Sequence, residues 1–257
     1  MKSGSQKAII IGASSGIGRA LAVTLSQQGY ELGLAARRED LLRDLQKELA
    51  GPSVVLKIDL KDLDGARAVT DQLFSVMGEV DLFIVNSGVN IANPSLDWPA
   101  EFETIQVNAL GFMAVANRAC HHFLKQNRGH LVGISSIAGL RGNGRSPAYS
   151  ASKALMSVYL AGLRQRLRRS GIHVTDIRPG YVKTEMIRLM RGVIWASEPA
   201  KAARQIAAAI HEKKKVVYIT KRWTILAGLF KIIPDALYDW GYEKFKYDKP
   251  VKEESRS

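Results

Sequence analysis

Seven short runs of β-branched and aliphatic residues recur along the chain, at 8–11, 32–35, 54–58, 82–85, 131–134, 174–177 and 216–219. Runs of this kind, without a strict alternation of apolar and polar positions, suit strands that are covered on both faces. Between them apolar residues return at three- and four-residue spacing. Leu41, Leu42, Leu45 and Leu49 form one such set, and Leu155, Val158, Leu163 and Leu167 another, which predicts crossover helices. Two of these helices are expected to be long, spanning about 101–126 and 148–169. Parallel neighbours need a crossover, and the crossover is right-handed, so repeated strand-helix units build one parallel sheet with helices on both faces. The predicted fold is therefore α/β, a single doubly wound domain with seven parallel strands, which binds ligands at the carboxyl ends of its strands.

The alternation stops after Thr220, so residues 1–220 are expected to form the binding domain and 221–257 an appendage whose end is disordered. In the appendage Trp223, Leu226, Phe230, Ile233, Leu237 and Trp240 alternate three- and four-residue steps, the pattern of one helical face. Pro234 interrupts it, which predicts two short helices with a bend. The run is too short to span a bilayer. Two readings remain. The stripe either covers its own subunit or a partner near the substrate mouth, or makes peripheral membrane contact with Lys221, Arg222, Lys231, Lys244 and Lys246 toward anionic lipid. The first is preferred, because a hydrophobic stripe is more often buried protein.

Composition narrows the class. The N-terminal residues lack the apolar length and cleavage site of a secretory signal, so a cytoplasmic protein is expected. Cys120 is the lone cysteine, which leaves no internal disulfide or cysteine-based metal cluster, and the histidines show no ligand spacing, so no metal is expected. A net charge of +13 suits an anionic ligand, an anionic surface or simply a solvated coat. Nucleic acid is set aside, because neither interleaved aromatics nor a binding motif accompanies the basic residues.

The first strand ends in Gly12-Ala13-Ser14-Ser15-Gly16-Ile17-Gly18, followed by apolar residues at helical spacing from about Ile17. Glycine belongs where a chain turns tightly and where backbone must approach a pyrophosphate, and the helix that follows aims its free N–H groups at the phosphates. This spacing resembles the short-chain dehydrogenase/reductase family. The resemblance runs from about residue 8 to 220, with its elements in order at the strand ends. It implies that Gly12, Ser14, Ser15, Gly16, Ile17 and Gly18 contact a dinucleotide on a Rossmann-type fold. It also implies that Asp59 and Leu60 lie near the adenine, and that Asn86-Ser87-Gly88 supports the sheet and passes the adenosine ribose. Val85 and Ser87 stand where the family has a second asparagine and an alanine. Pro179, Gly180, Val182 and Thr184 are implied on the nicotinamide side.

An NAD-dependent chain carries an acid at the end of its second strand for the ribose 2′-hydroxyl. Ala36 holds that place here and Arg37 and Arg38 follow, able to pair with a 2′-phosphate, so NADP(H) is the expected cofactor.

Tyr149 and Lys153 are four residues apart, so on a helix they share a face, and a neighbouring cation favours the ionised form of a phenol whose ordinary pKa is roughly 10. The resemblance implies that Tyr149 is the general acid or base, and that Ser136, thirteen residues before it, orients the carbonyl oxygen. Lys153 would hold the nicotinamide ribose and lower the tyrosine pKa, and Asn108 would position a water joining Lys153 to solvent. Ser135 is read as a strand-end residue.

The activity implied is a carbonyl reductase or alcohol dehydrogenase acting on a small molecule. Segments 89–98, 140–147 and 185–199 are expected to line the pocket, and Met186, Ile187, Leu189, Met190, Val193, Ile194 and Trp195 suggest a hydrophobic substrate. The alternatives are a 3-oxoacyl thioester reductase and a non-catalytic dinucleotide sensor; loss of Tyr149 or Lys153 would have marked the latter. A homodimer or homotetramer through the two long helices is also implied.

Overall fold

The computed structural model describes residues 5–188 and 195–246. Seven strands, β1 (Lys7–Ile11), β2 (Glu31–Ala36), β3 (Ser53–Lys57), β4 (Leu82–Val85), β5 (Gly129–Ile134), β6 (Ile172–Pro179) and β7 (Val216–Ile219), form one sheet in the order β3-β2-β1-β4-β5-β6-β7. Every neighbouring pair is parallel. The chain winds outward from β1 through β2 to β3, then returns to β4 and winds the other way. The order thus reverses between β1 and β4, and the crevice beyond their carboxyl ends is where an open α/β sheet takes its ligand.

Side chains alternate across a strand, so each strand feeds two cores. Ile9, Ile11, Phe83 and Val85 pack on one face against helices α3 (Leu63–Met77), α5 (Phe112–Gln126) and α6 (Pro147–Arg166), through residues such as Leu73, Phe112 and Leu160. Ile10, Leu34, Ile84 and Val132 pack on the other against α1 (Gly16–Gln27), α2 (Glu39–Glu48) and α7 (Pro199–His211), through Leu21, Leu45 and Ile206. Both faces are covered, which is why the strands read as continuous apolar runs.

The expected helix over 101–126 is one rod in three parts: α4 (Trp98–Ile105), a π-helical turn over Gln106–Gly111, and α5. The expected helix over 148–169 is α6, which ends at Arg166 with Leu167 as its cap.

The tail forms α8 (Lys221–Ile232) and α9 (Asp235–Lys246) on either side of Pro234. The expectation of one shared apolar face needs correction. Trp223 is buried with Ala227 and Ile137, and Leu226 and Phe230 pack beside them, whereas Leu237 and Trp240 are exposed. The bend at Ile233, whose backbone is extended, breaks the phase between the two helices. Arg141 fixes the bend. Its guanidinium donates to the Phe230 carbonyl at 2.7 Å and to the Ile233 carbonyl, pairs with Asp235, and lies over the Tyr238 ring.

At the opposite end of the sheet from the crevice, His130 is paired in register with His173, and its Nε2 is 2.8 Å from the Thr175 hydroxyl. Burial, with His173 and Lys213 adding to it, pushes the His130 imidazole down from 6.5 to about 4. The unfolded chain therefore takes a proton that the folded one refuses, and stability falls as pH drops from 6.5 toward 4. The shift corresponds to roughly 3 kcal/mol over that window. Urea titrations at neutral pH and near the lower limit should show this loss, and a smaller one in His130→Gln. An equal loss in both chains would remove His130 from the account.

Candidate active site

The first glycine turn carries the chain from β1 into α1 across the mouth of the crevice. Gly12 has φ +90°, in the region that favours glycine. Gly18 is held so close that an added Cβ would lie 2.1 Å from the Gly12 carbonyl oxygen and 2.5 Å from Asn86 Nδ2. Asn86 donates from Nδ2 to that same carbonyl at 2.8 Å, and its backbone N–H reaches Ile11 O at 2.9 Å, so the side chain ties the ends of β1 and β4 together. Ser15 precedes α1 without a side-chain cap, which leaves the first-turn N–H groups to a ligand. This glycine-lined cradle, closed by a positive helix end, fits a dinucleotide pyrophosphate.

The second arginine, not the first, reaches the turn. Arg38 Nη2 donates to Ser15 Oγ at 2.7 Å, and Nη1 pairs with Glu185 at 3.0 Å. Arg37 is exposed beside it. Asp59 Oδ1 accepts the Lys61 N–H at 3.0 Å, and Leu60 is buried against Gly111. The methyl group of Thr184 would meet a Cβ on Gly16 at 3.0 Å, so the glycine turn and the segment after β6 close on each other.

Tyr149 and Lys153 stand one turn apart near the start of α6, with Lys153 Nζ 5.8 Å from the tyrosine ring centroid. Ser136, at the end of β5, accepts the Ala138 N–H at 3.1 Å and lies 3.4 Å from the Pro179 carbonyl. Burial raises the Tyr149 pKa, the hydrogen bond with Ser136 works against that rise, and Tyr181 adds to it. Desolvation is the largest influence on this phenol. Lys153 itself is pushed down to about 8 by burial, opposed by Asp176. Its ammonium donates to the Ile134 carbonyl at 3.0 Å.

Asn108 lies inside the π turn and is fully buried. Its amide holds both backbone groups of Val89 at 2.8 Å and donates to Ser152 Oγ at 3.1 Å. A Cβ on Gly88 would meet Asn108 Oδ1 at 3.2 Å and Lys153 Nζ at 3.3 Å, so Asn86–Gly88, Asn108 and Lys153 form one packed group.

The description "short chain dehydrogenase" matches residues 6–192. The chain belongs to the short-chain dehydrogenase/reductase family. It is 32% identical over 238 residues to an uncharacterized oxidoreductase of Myxococcus xanthus, covering 90% of this chain and 94% of that one. An uncharacterized oxidoreductase of Mycobacterium tuberculosis is 32% identical over 243 residues, covering 90% of this chain and 95% of its own. Among solved structures, a single-residue variant of actinorhodin polyketide ketoreductase with NADPH superposes with a TM-score of 0.76 at 24% identity, over 84% of this chain and 95% of that one. ElxO with NADP bound gives 0.75 at 20%, over 84% and 97%. At these identities the structures speak for the fold.

In this short-chain dehydrogenase several side chains near the site carry no motif that singles them out in the sequence. Asp176 is buried in β6, where it accepts from Ser135 Oγ at 2.5 Å and from Arg178 Nε at 2.7 Å, while Arg178 donates to Tyr218 at 3.2 Å. Ser135, read as a strand-end residue, is therefore a partner of the carboxylate behind the site. An acid inside an apolar strand is itself a signal, since a buried carboxylate must find donors. Trp223 of the tail fills the place of a side chain at Gly180, where a Cβ would lie 2.1 Å from its ring, and Tyr181 and Trp195 stack edgewise on it at 5.7 and 6.1 Å. Of the expected pocket segments, 89–98 and 140–147 are joined by the Asn93 N–H to Arg145 carbonyl bond at 2.9 Å. Met186 and Trp195 are exposed at the mouth; Leu189, Met190, Val193 and Ile194 lie outside the described residues.

Proposed function

We propose that this family member interconverts a carbonyl and an alcohol on a hydrophobic small molecule with NADP(H). The observation that carries the reading is the placing of Tyr149 and Lys153 one turn apart near the start of α6, with the ammonium 5.8 Å from the phenol ring and Ser136 beside the phenol. The nicotinamide cofactor, when bound at the crevice, would supply a hydride to the carbonyl carbon. Tyr149 gives its proton to the carbonyl oxygen, and its raised pKa keeps it protonated, as an acid must be, at neutral pH. Ser136 orients that oxygen by hydrogen bonding. Lys153, with its pKa near 8, releases and takes up a proton close to neutrality and can restore the phenol. Asn108 fixes the backbone at Val89, where the pocket begins. The residues that would hold the dinucleotide are Gly12–Gly18, Arg37, Arg38, Asp59, Leu60, Asn86–Gly88, Tyr149, Lys153, Pro179, Gly180, Val182 and Thr184.

The NADP(H) preference rests on Ala36 and on Arg38, which already stands against Ser15 of the glycine turn. Replacing Arg38 by Asp is expected to raise the KM for NADPH by roughly tenfold or more, the worth of a charge-assisted bond, and that for NADH far less. Equal effects on both would end the assignment. We also infer a homodimer or homotetramer through α5 and α6, on which Leu124 and Val158 face outward. A panel of ketones, aldehydes, 3-oxoacyl thioesters and secondary alcohols, followed by NADPH absorbance, tests the activity. Stoichiometric NADPH binding with no turnover on any of them would leave a dinucleotide sensor.

A further inference from the structure

α8 is apolar on two faces, and the body of the protein covers only one. Trp223, 4% exposed, and Ala227, 1% exposed, sit on Ile137, with Leu226 and Phe230 beside them. The opposite stripe, Ile225, Leu229 and Ile232, follows the i, i+4, i+7 spacing of one helix face and is 79%, 46% and 78% exposed. Three large aliphatic side chains along one exposed row of a helix mark a contact rather than chance exposure.

Charge selects the occupant. Between Lys221 and Ile232 the helix has no acidic residue, and Lys221 and Arg222 are exposed in its first turn. α9 carries a comparable stripe, Leu237, Trp240 and Lys244, with the Lys244 ammonium 4.9 Å above the Trp240 ring. Of the acids in α9, Asp235 is held by Arg141, and Asp239 and Glu243 lie on a different row of the helix from that stripe. A second copy of a chain with net charge +13 would bring like charge to this face. An anionic bilayer brings the opposite charge and an apolar layer for the aliphatic stripe, and lysine and tryptophan are the side chains that sit at such an interface. Among the described residues no helix is long and apolar enough to cross a membrane, so contact is made from the surface.

We propose that α8 docks the protein on an anionic lipid surface through Ile225, Leu229 and Ile232, and that the substrate is a lipophilic carbonyl or alcohol taken from that surface. The second clause rests on the catalytic reading above; the first does not. Docking and site are physically joined, because the buried face of the same helix places Trp223 on Gly180 and beside Tyr181.

The test uses the full chain with vesicles of phosphatidylcholine alone or mixed with an equal part of phosphatidylglycerol, in a co-sedimentation assay that needs no turnover. Binding is expected only with the anionic vesicles, weakening with salt. The triple variant Ile225→Ser/Leu229→Ser/Ile232→Ser, at exposed positions that leave the fold intact by circular dichroism, is expected to bind more weakly by about tenfold or more. Lys221→Glu/Arg222→Glu serves as a second variant, expected to lose the preference for anionic vesicles with the apolar stripe intact. Failure of the native chain to bind anionic vesicles overturns docking, and so does equal binding by the triple variant. If the triple variant instead alters the oligomeric state and the native chain ignores vesicles, the stripe is an interface between copies and the proposal fails. Normal turnover of water-soluble ketones without vesicle binding removes the proposal and leaves the catalytic reading standing; vesicle binding without turnover does the reverse.

Discussion

Tyr149→Phe is expected to lower kcat by about three orders of magnitude or more while changing the NADPH dissociation constant little. The substitution deletes the transferable proton and keeps the ring, and positioned proton transfer is worth roughly 10²–10⁴ in rate. The ring at the start of α6 keeps its volume, so stability should stay near that of the native chain. Rapid-mixing absorbance gives the rate and fluorescence titration the affinity. A variant retaining a tenth of native kcat would show that another group supplies the proton; Ser136, which stands beside the phenol, would be the first to examine.

Lys153→Met is expected to lose turnover and, at neutral pH, to gain stability. The folded pKa of Lys153 is depressed from 10.5 to about 8, so the folded state pays for holding the ammonium charged wherever pH lies below 8, and that penalty fades as pH rises toward 10.5. The shift amounts to roughly 3 kcal/mol, less about 1 for the bond to the Ile134 carbonyl, leaving a gain of about 2 kcal/mol near neutral pH. Methionine fits the same channel beside Met156, whose sulfur lies 3.5 Å from Nζ. Guanidinium titrations at about pH 7 and about pH 10 separate this effect from general repacking: the advantage of the variant should shrink at the higher pH. A variant less stable than the native chain at neutral pH would mean that the ammonium is better solvated than its burial indicates. The trade is of the kind expected where function needs a charge that folding disfavours.

Much of this arrangement is visible in the sequence because the parts that matter sit at strand ends. Buried strands announce themselves as apolar runs, and the groups placed at the crevice follow those runs directly: Gly12 after β1, Asn86 after β4, Ser136 after β5, Pro179 at the end of β6. The tyrosine and lysine needed only a helix to share a face, and α6 supplies it. Less legible were features that depend on rotation about a helix axis. The π turn around Asn108 carries no proline or glycine pair to mark it, so residues 101–126 read as one regular rod. The tail stripe read as a single face because spacing alone continues through Pro234, while the backbone does not. Long-range polar contacts were hidden for another reason. Arg141 and Asp235 are far apart in sequence, and nothing local to either predicts the staple.

The π turn also limits how this gene can change in length. A regular α-helix advances about 100° per residue, and a π turn accommodates one more residue than the α-helix would in the same rise. Phe112, Val115, Ala119 and Phe123 reach the core because the wide turn absorbs the extra residue instead of passing its rotation on to α5. Deleting any single residue between 106 and 111 would close the turn into a regular hydrogen-bond ladder with α5 near its present phase, but would remove the wide turn that presents the buried Asn108 to Val89. Insertions and deletions that this lineage tolerates should therefore fall in the connecting loops, and the segment from Trp98 to Gln126 should keep a constant residue count wherever the buried asparagine is kept.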